Sequence, residues 1–192
     1  MQSKKIILLN APPGAGKDFA AKYLEQNLTD CKLDKFARVL KERTHALYGF
    51  PERDFMYYES CKEEPNEDFL GLTPRQAYIN VSETYFKPTH GKRVFGELLL
   101  QELKKENTSI IAVSDSGFKE EAEVLIDEYG ADNIFLIHIL REGCDFSSDS
   151  RNYIYPPYCK SCWILNKGDS SFTDRILEVV TEWLEIEDSY FG

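Results

Sequence analysis

Lys5-Ile6-Ile7-Leu8-Leu9-Asn10-Ala11-Pro12-Pro13-Gly14-Ala15-Gly16-Lys17-Asp18 decides the fold. An apolar run of strand character, a Gly-rich turn ending in Gly16-Lys17 and a helical pattern follow one another, which is the context a phosphate-binding loop requires. Small residues in such a turn let successive backbone N–H groups point into one concavity, and the helix N-terminus behind it helps to hold phosphate oxygens. Lys17 supplies a point charge for the β- and γ-phosphates. Pro13, Gly14, Ala15, Gly16, Lys17, Asp18 and Phe19 are therefore the candidate nucleotide contacts. Against the pattern G-x-x-x-x-G-K-[ST], Gly16 and Lys17 match, Ala11 replaces the first glycine and Asp18 replaces the hydroxyl residue. A carboxylate suits the first turn of a helix. It reaches a metal directly or through water, and it repels nearby phosphates. The bland alternative is a surface turn capped by an exposed lysine.

At 192 residues the chain makes one domain with a single sizeable core. The 23 basic against 33 acidic residues, a net charge of −10, argue against a nucleic-acid polymer or an anionic membrane as the main partner. A small anionic ligand is compatible, because a pocket's local field can oppose the net charge. The apolar stretch at the N-terminus is too short for a signal peptide, so a cytoplasmic protein is expected. Five cysteines at irregular spacing do not make a disulfide framework. Cys159 and Cys162 form the one C-x-x-C, and a zinc site there would need Cys144 and His138 as well.

Four more segments read as strands: one near Cys31-Lys32-Leu33, then Ser109–Ser114, Asn133–Leu140 and Cys162–Asn166. Helical patterns lie between them, with Phe19, Tyr23 and Leu24 on one face of 19–27, and Ala122, Leu125, Ile126 and Tyr129 on one face of 118–129. Ile176, Leu177, Val180 and Leu184 repeat the spacing near the C-terminus. Alternation of this kind predicts an α/β fold, a parallel sheet of about five strands covered on both faces. A stretch of about 70 residues, 36–106, is too long for a simple crossover and is expected to form a helical insert. Within it Gly49-Phe50-Pro51 ends one helix, and Thr73-Pro74-Arg75-Gln76 starts another with Thr73 as cap. The segment 141–161, rich in Ser, Asp, Tyr and Pro, is a lid candidate.

In a parallel sheet ligands gather at the carboxyl ends of the strands, which brings forward Asn10, Asp34, Asp115, Arg141 and Asn166. Asp115 closes an apolar strand, the usual place for a carboxylate that orients Mg²⁺ through water, although many strands end in Asp merely to turn. Arg141 and Arg151, near the two ends of the lid segment, are candidates to close over phosphates. Asp34, Arg38, Lys41 and Arg75 are candidates for an acceptor, with Arg75 preferred because it sits in the first turn of a helix. Asn166 and Gly168 either back an adenine ring or belong to an ordinary strand-to-helix loop capped by Asp169 or Ser170. The tyrosines, among them Tyr57, Tyr58, Tyr153, Tyr155 and Tyr158, leave open base stacking or a contact surface such as a homodimer would use.

Gly16-Lys17-Asp18, Phe36-Ala37 before Leu40-Lys41, Thr73 to Gln76, Val113-Ser114-Asp115 with Phe118 and Glu121-Ala122 after it, Arg141-Glu142-Gly143 and Asn166 with Gly168 together resemble the deoxynucleoside monophosphate kinases of bacteriophages. The Lys-Asp variant of the loop and the Val-Ser-Asp strand end are also similar to animal-type phosphomevalonate kinases. The resemblance implies a P-loop kinase fold, ATP and Mg²⁺, a small-molecule (deoxy)nucleotide acceptor and, for a phage protein, a place in the host cytoplasm. It implies that Lys17 stabilises the transferring phosphoryl, that Asp18 and Asp115 organise Mg²⁺, that Arg75 holds the acceptor, and that Arg141 and Arg151 clamp the phosphates. One departure matters. Both families place an arginine two residues after the strand-end aspartate, where this chain has Gly117. Arg151 or Lys119 then replaces it, or the acceptor is another small phosphate monoester, or the chain is a nucleotide-binding regulator that has lost transfer.

Overall fold

The computed structural model describes residues 4–50 and 55–188. Five parallel strands, β1 (Lys5–Asn10), β2 (Cys31–Asp34), β3 (Ile110–Ser116), β4 (Ile134–Leu140) and β5 (Lys160–Leu165), form one sheet in the order β2-β3-β1-β4-β5. β1 is central, with Ile7 opposite Ala112 on one side and Phe135 on the other. Its residues alternate between two cores because side chains in a strand point to opposite faces. Ile6 and Leu8 join one apolar cluster, Ile7 and Leu9 the other. Burial on both faces is the reason the strand reads as a continuous apolar run.

The first face is covered by α2 (Phe36–Tyr48), α6 (Val94–Leu103) and α7 (Lys119–Tyr129), through Phe36, Val39, Phe95, Leu99, Ala122 and Leu125. The second is covered by α1 (Lys17–Asn27) and α8 (Ser171–Asp188), through Ala20, Ala21, Leu24, Ile176, Val180 and Trp183. The expected α1 face is corrected here. Phe19 is 63% exposed, and the small Ala20 and Ala21 bring the helix close to the sheet. The last strand likewise begins at Lys160 rather than Cys162.

The insert contains α2, α3 (Phe55–Ser60), α4 (Pro74–Val81), α5 (Lys87–His90) and α6. α2 ends at Gly49, whose φ of 88° is the left-handed C-cap that favours glycine; Pro51 lies outside the described residues. α4 starts with a full capping box, the Thr73 hydroxyl accepting from the Gln76 N–H and the Gln76 side chain from the Thr73 N–H. A π-helical turn, Ser82–Phe86, links α4 to α5. Pro88 accounts for it, since proline removes one helical N–H and crowds the preceding carbonyls. The insert has its own core, in which Tyr58, Phe69 and Tyr78 surround the fully buried His45.

Candidate active site

The loop after β1 is built by its neighbours as much as by itself. Gly14 and Gly16 adopt φ of 76° and 99°, and Gly16 is the N-cap of α1. A Cβ on Gly16 would stand 2.5 Å from Asn166 Nδ2. That amide, just past β5, donates to the Ala15 carbonyl at 2.9 Å and accepts the Gly168 N–H at 2.8 Å. Arg141, just past β4, donates Nη1 to the Gly14 carbonyl at 3.0 Å. Asn166 and Arg141 therefore hold two of the loop's carbonyls, while the Ala15 N–H donates to the Pro12 carbonyl at 3.3 Å. Asp169 accepts the Ser171 N–H at 3.0 Å, so the strand-to-helix loop also carries its own cap.

Lys17 is buried, with Nζ donating to the Pro12 carbonyl at 3.3 Å. Burial, and then the Arg151 charge, hold its pKa below the usual lysine value, with Asp18 pulling the other way. Asp18 is exposed on the first turn of α1, where it accepts from Lys35 Nζ at 2.5 Å and from Ser114 Oγ at 3.0 Å. Burial of the carboxyl raises its pKa, but the Lys35 and Ser114 hydrogen bonds and the Lys17 charge leave it below the ordinary aspartate value. Lys35 was not singled out by the sequence, and Ser114 entered it only as part of Val113-Ser114-Asp115, with no role of its own. Both lie one residue from a strand-end aspartate, which is the signal that marks them.

Asp115 does more than end a strand. Its Oδ1 accepts the Phe36 N–H at 2.9 Å and its Oδ2 the Ala37 N–H at 2.8 Å. Lys35, the N-cap residue of α2, makes no side-chain cap, and Asp115 fills that role from β3. Burial raises its pKa, opposed by those two amides and by Arg151 and Lys35.

Arg151 is placed by an ion pair with Asp149, Nε to Oδ1 at 2.9 Å and Nη2 to Oδ2 at 2.5 Å, which raises its pKa. Its charge acts on Lys17, Asp115 and Glu121. The stretch after it is held against the sheet. Asn10, fully buried at the end of β1, donates Nδ2 to the Ser116 carbonyl at 2.8 Å and the Asn152 carbonyl at 3.0 Å, and accepts the Ile154 N–H at 2.9 Å. His138 Nε2 meets the Ile154 carbonyl at 2.9 Å, and Ile154 packs into the first core. The second half of 141–161 is thus fastened to the sheet ends by a buried asparagine.

Each basic acceptor candidate is paired with a carboxylate. Arg38 is bidentate to the buried Asp34, at 2.7 and 2.9 Å, and also pairs with Glu42. Lys41 pairs with Glu59 beneath the Tyr78 ring, and Arg75 pairs with Glu63 at 2.6 Å in an exposed position. Among the described residues no group of three or more His, Cys, Asp or Glu is assembled for a metal. The oxygen donors at the loop, the Asp18 carboxylate with the Ser114 hydroxyl beside it, nevertheless fit Mg²⁺, which takes one or two carboxylates and fills its shell with water and phosphate. Asp115 fits it less directly, because each of its oxygens already accepts a backbone N–H.

No family model matches the chain. Among curated proteins it is similar to the Type IV methyl-directed restriction enzyme EcoKMcrB subunit of Escherichia coli (strain K12), 26% identical over 157 residues. That alignment covers 71% of this chain and 30% of the relative, so the chain spans under a third of that protein's length. Among solved structures it is similar to a putative kinase from Chloroflexus aurantiacus j-10-fl, with a TM-score of 0.51, 15% identity and 96% and 98% of the two chains covered. A sugar kinase from Janibacter sp. HTCC2649 gives a TM-score of 0.48 at 12% identity, over 95% of each chain. The chain has an α/β fold, a five-stranded parallel sheet with helices on both faces, and shares it with the Chloroflexus structure. No helix among the described residues is long and apolar enough to cross a membrane.

Proposed function

We propose that the protein transfers the γ-phosphoryl of ATP to a nucleoside or deoxynucleoside monophosphate, giving the diphosphate. One observation carries this reading: Lys17 and Arg141, from two separate stretches of chain, both donate to carbonyls of one glycine-rich loop, with Asp18 next to Lys17 at the start of α1. A phosphate oxygen of the acceptor attacks the γ-phosphorus while the bond to the β-phosphate oxygen breaks and ADP departs. Phosphoryl transfer asks little covalent chemistry of a protein, so positioning and positive charge supply the rate. The loop N–H groups and the N-terminus of α1 hold the donor, and Lys17 follows the migrating group. Arg151, whose charge acts on Lys17, would add positive charge near it. Asp18 and Ser114 would hold Mg²⁺, which neutralises charge between the β- and γ-oxygens when bound.

A coupled ADP-release assay with MgATP and each monophosphate in turn, with Lys17→Ala as control, tests the proposal. Turnover selective for one or a few nucleotides and absent from the control is expected. A second reading, nucleotide binding without transfer, is favoured by the use of both Asp115 oxygens as a cap for α2. It predicts MgATP binding by calorimetry with no ADP release across the panel. Turnover with another phosphate monoester alone would instead move the acceptor class.

A further inference from the structure

Gly117 follows β3, and its backbone lies outside the left-handed region in which glycine is favoured. Conformation therefore does not require a glycine there. Space does: a Cβ at 117 would stand 2.6, 2.7 and 2.8 Å from Cβ, Cγ and Cδ of Arg151. Three successive carbons of one side chain run across the bare Cα, and the Gly117 carbonyl accepts the Asn152 N–H at 3.2 Å. The arginine stem and the chain beyond it are thus laid on this residue. Asn10 binds the same stretch from below through Asn152 and Ile154, and it is the last residue of the strand that leads into the phosphate loop. Asp149 orients the guanidinium.

We propose that Gly117 and Asn10 are positioning residues for Arg151, which hold its guanidinium at the phosphate site as a fixed wall instead of a lid that arrives on closure. The inference rests on the phosphoryl-transfer reading for the guanidinium's meeting a phosphate, but not for the packing of its stem on Gly117. A further consequence is geometric. Because a side chain at 117 and the stem of Arg151 claim the same volume, a guanidinium supplied from position 117 can reach the same place when position 151 is emptied.

The test compares wild type, Gly117→Ala, Arg151→Gly, Arg151→Lys and the double variant Gly117→Arg/Arg151→Gly by steady-state kinetics with MgATP and the accepted monophosphate. Binding of MgATP is measured by calorimetry, and exchange of the Asn152 and Ile154 amides by NMR. Arg151→Gly is expected to lower kcat by about 100-fold or more, as removal of a guanidinium that acts on a transferring phosphoryl does. Gly117→Ala is expected to lower kcat about tenfold with MgATP affinity nearly unchanged. The double variant recovers at least about tenfold over Arg151→Gly, whereas Arg151→Lys recovers little, because one ammonium does not reproduce a two-pronged fork. Slow exchange of the two amides in wild type, made faster by Gly117→Ala, is the structural expectation. Wild-type kcat in Gly117→Ala, or a double variant no better than Arg151→Gly, overturns the proposal. Fast exchange of both amides in wild type overturns the fixed wall by itself. If wild type turns over no monophosphate but keeps both amides protected, the kinase reading fails separately. The positioning is then judged on MgATP affinity, which must fall in Arg151→Gly and return in the double variant.

Discussion

Glu121→Gln is expected to make the protein more stable, and more so as pH rises. Glu121 lies in the first turn of α7, 4% exposed, and among the described residues no hydrogen bond or ion pair reaches its carboxyl. Burial foremost, and the nearby Asp115 charge next, push its pKa up from 4.5 to about 8, against the pull of Lys87 and Arg151. The folded-state value is above the unfolded one, so folding takes up a proton between them. The contribution to stability is complete below 4.5 and is lost as pH rises through 8. At about 1.36 kcal/mol per unit, the wild type loses about 4 kcal/mol between roughly pH 5 and pH 8 that the glutamine variant keeps. Urea unfolding of both proteins at several pH values across that window measures the difference directly. If the two stabilities change in parallel with pH, Glu121 titrates normally and the carboxyl is not buried as described. A variant gain equal at every pH would refute the electrostatic origin in the same way.

His45 makes the opposite prediction. Burial, and then the Lys41 charge, lower its pKa from 6.5 to about 4, so its contribution is present above 6.5 and lost as pH falls through 4, a change of about 3 kcal/mol; His45→Gln should flatten the acid limb of the unfolding curve, and an unchanged limb would refute it. Gly96→Ala places a Cβ 2.7 Å from the Glu121 carbonyl oxygen and 2.9 Å from Val124 Cγ2, where α6 and α7 touch. A loss of about 1–3 kcal/mol in urea unfolding is expected, and a neutral result would mean the helices can part at no cost. Arg75→Ala is expected to raise the KM of the acceptor about tenfold and leave stability within about 1 kcal/mol, since its exposed pair with Glu63 is weak. Arg38→Ala leaves the buried Asp34 carboxylate without its bidentate partner and should cost about 3 kcal/mol or more of stability; calorimetric melting of the two variants separates these outcomes.

The loop, the five strands and the Thr73 cap were legible because each is a local matter: a run of apolar residues, a glycine where φ is positive, a hydroxyl three residues before its amide. What the sequence could not show is which partner a polar side chain finds across the fold. Asp115 was placed at the right strand end, but the Phe36 and Ala37 amides that take its oxygens come from a helix about 80 residues away. Arg75 and Lys41 read as free cations because Glu63 and Glu59 lie more than ten residues off in sequence, past any helical spacing. Phe19 was misread for a different reason. The apolar pattern of α1 is real, but the close approach the loop imposes selects Ala20 and Ala21 for the sheet and turns the large ring outward. Gly117 was visible as an irregularity, and only the course of Arg151 across it gives the glycine a cause.

The means by which the cations are held bears on how a chain of net charge −10 can favour a polyanion at all. In the insert each basic candidate faces a carboxylate, so its charge is largely cancelled until a ligand displaces that partner. At the loop, Lys17 and Arg141 donate to backbone carbonyls, of Pro12 and Gly14. A carbonyl dipole fixes a cation in place without carrying a compensating negative charge. Asp18, Asp149 and Asp115 offset part of that charge at Lys17, and salt screens the more distant acidic surface beyond about 8–10 Å. Displacing a carbonyl also costs less than displacing an ion-pair partner. On the phosphoryl-transfer reading, donor phosphates meet cations that are already oriented and only lightly engaged, and an acceptor drawn to Arg75 displaces only a weak, exposed pair with Glu63. That reading predicts donor binding tighter than acceptor binding, and calorimetry with each ligand at two ionic strengths that gave the opposite order would refute it.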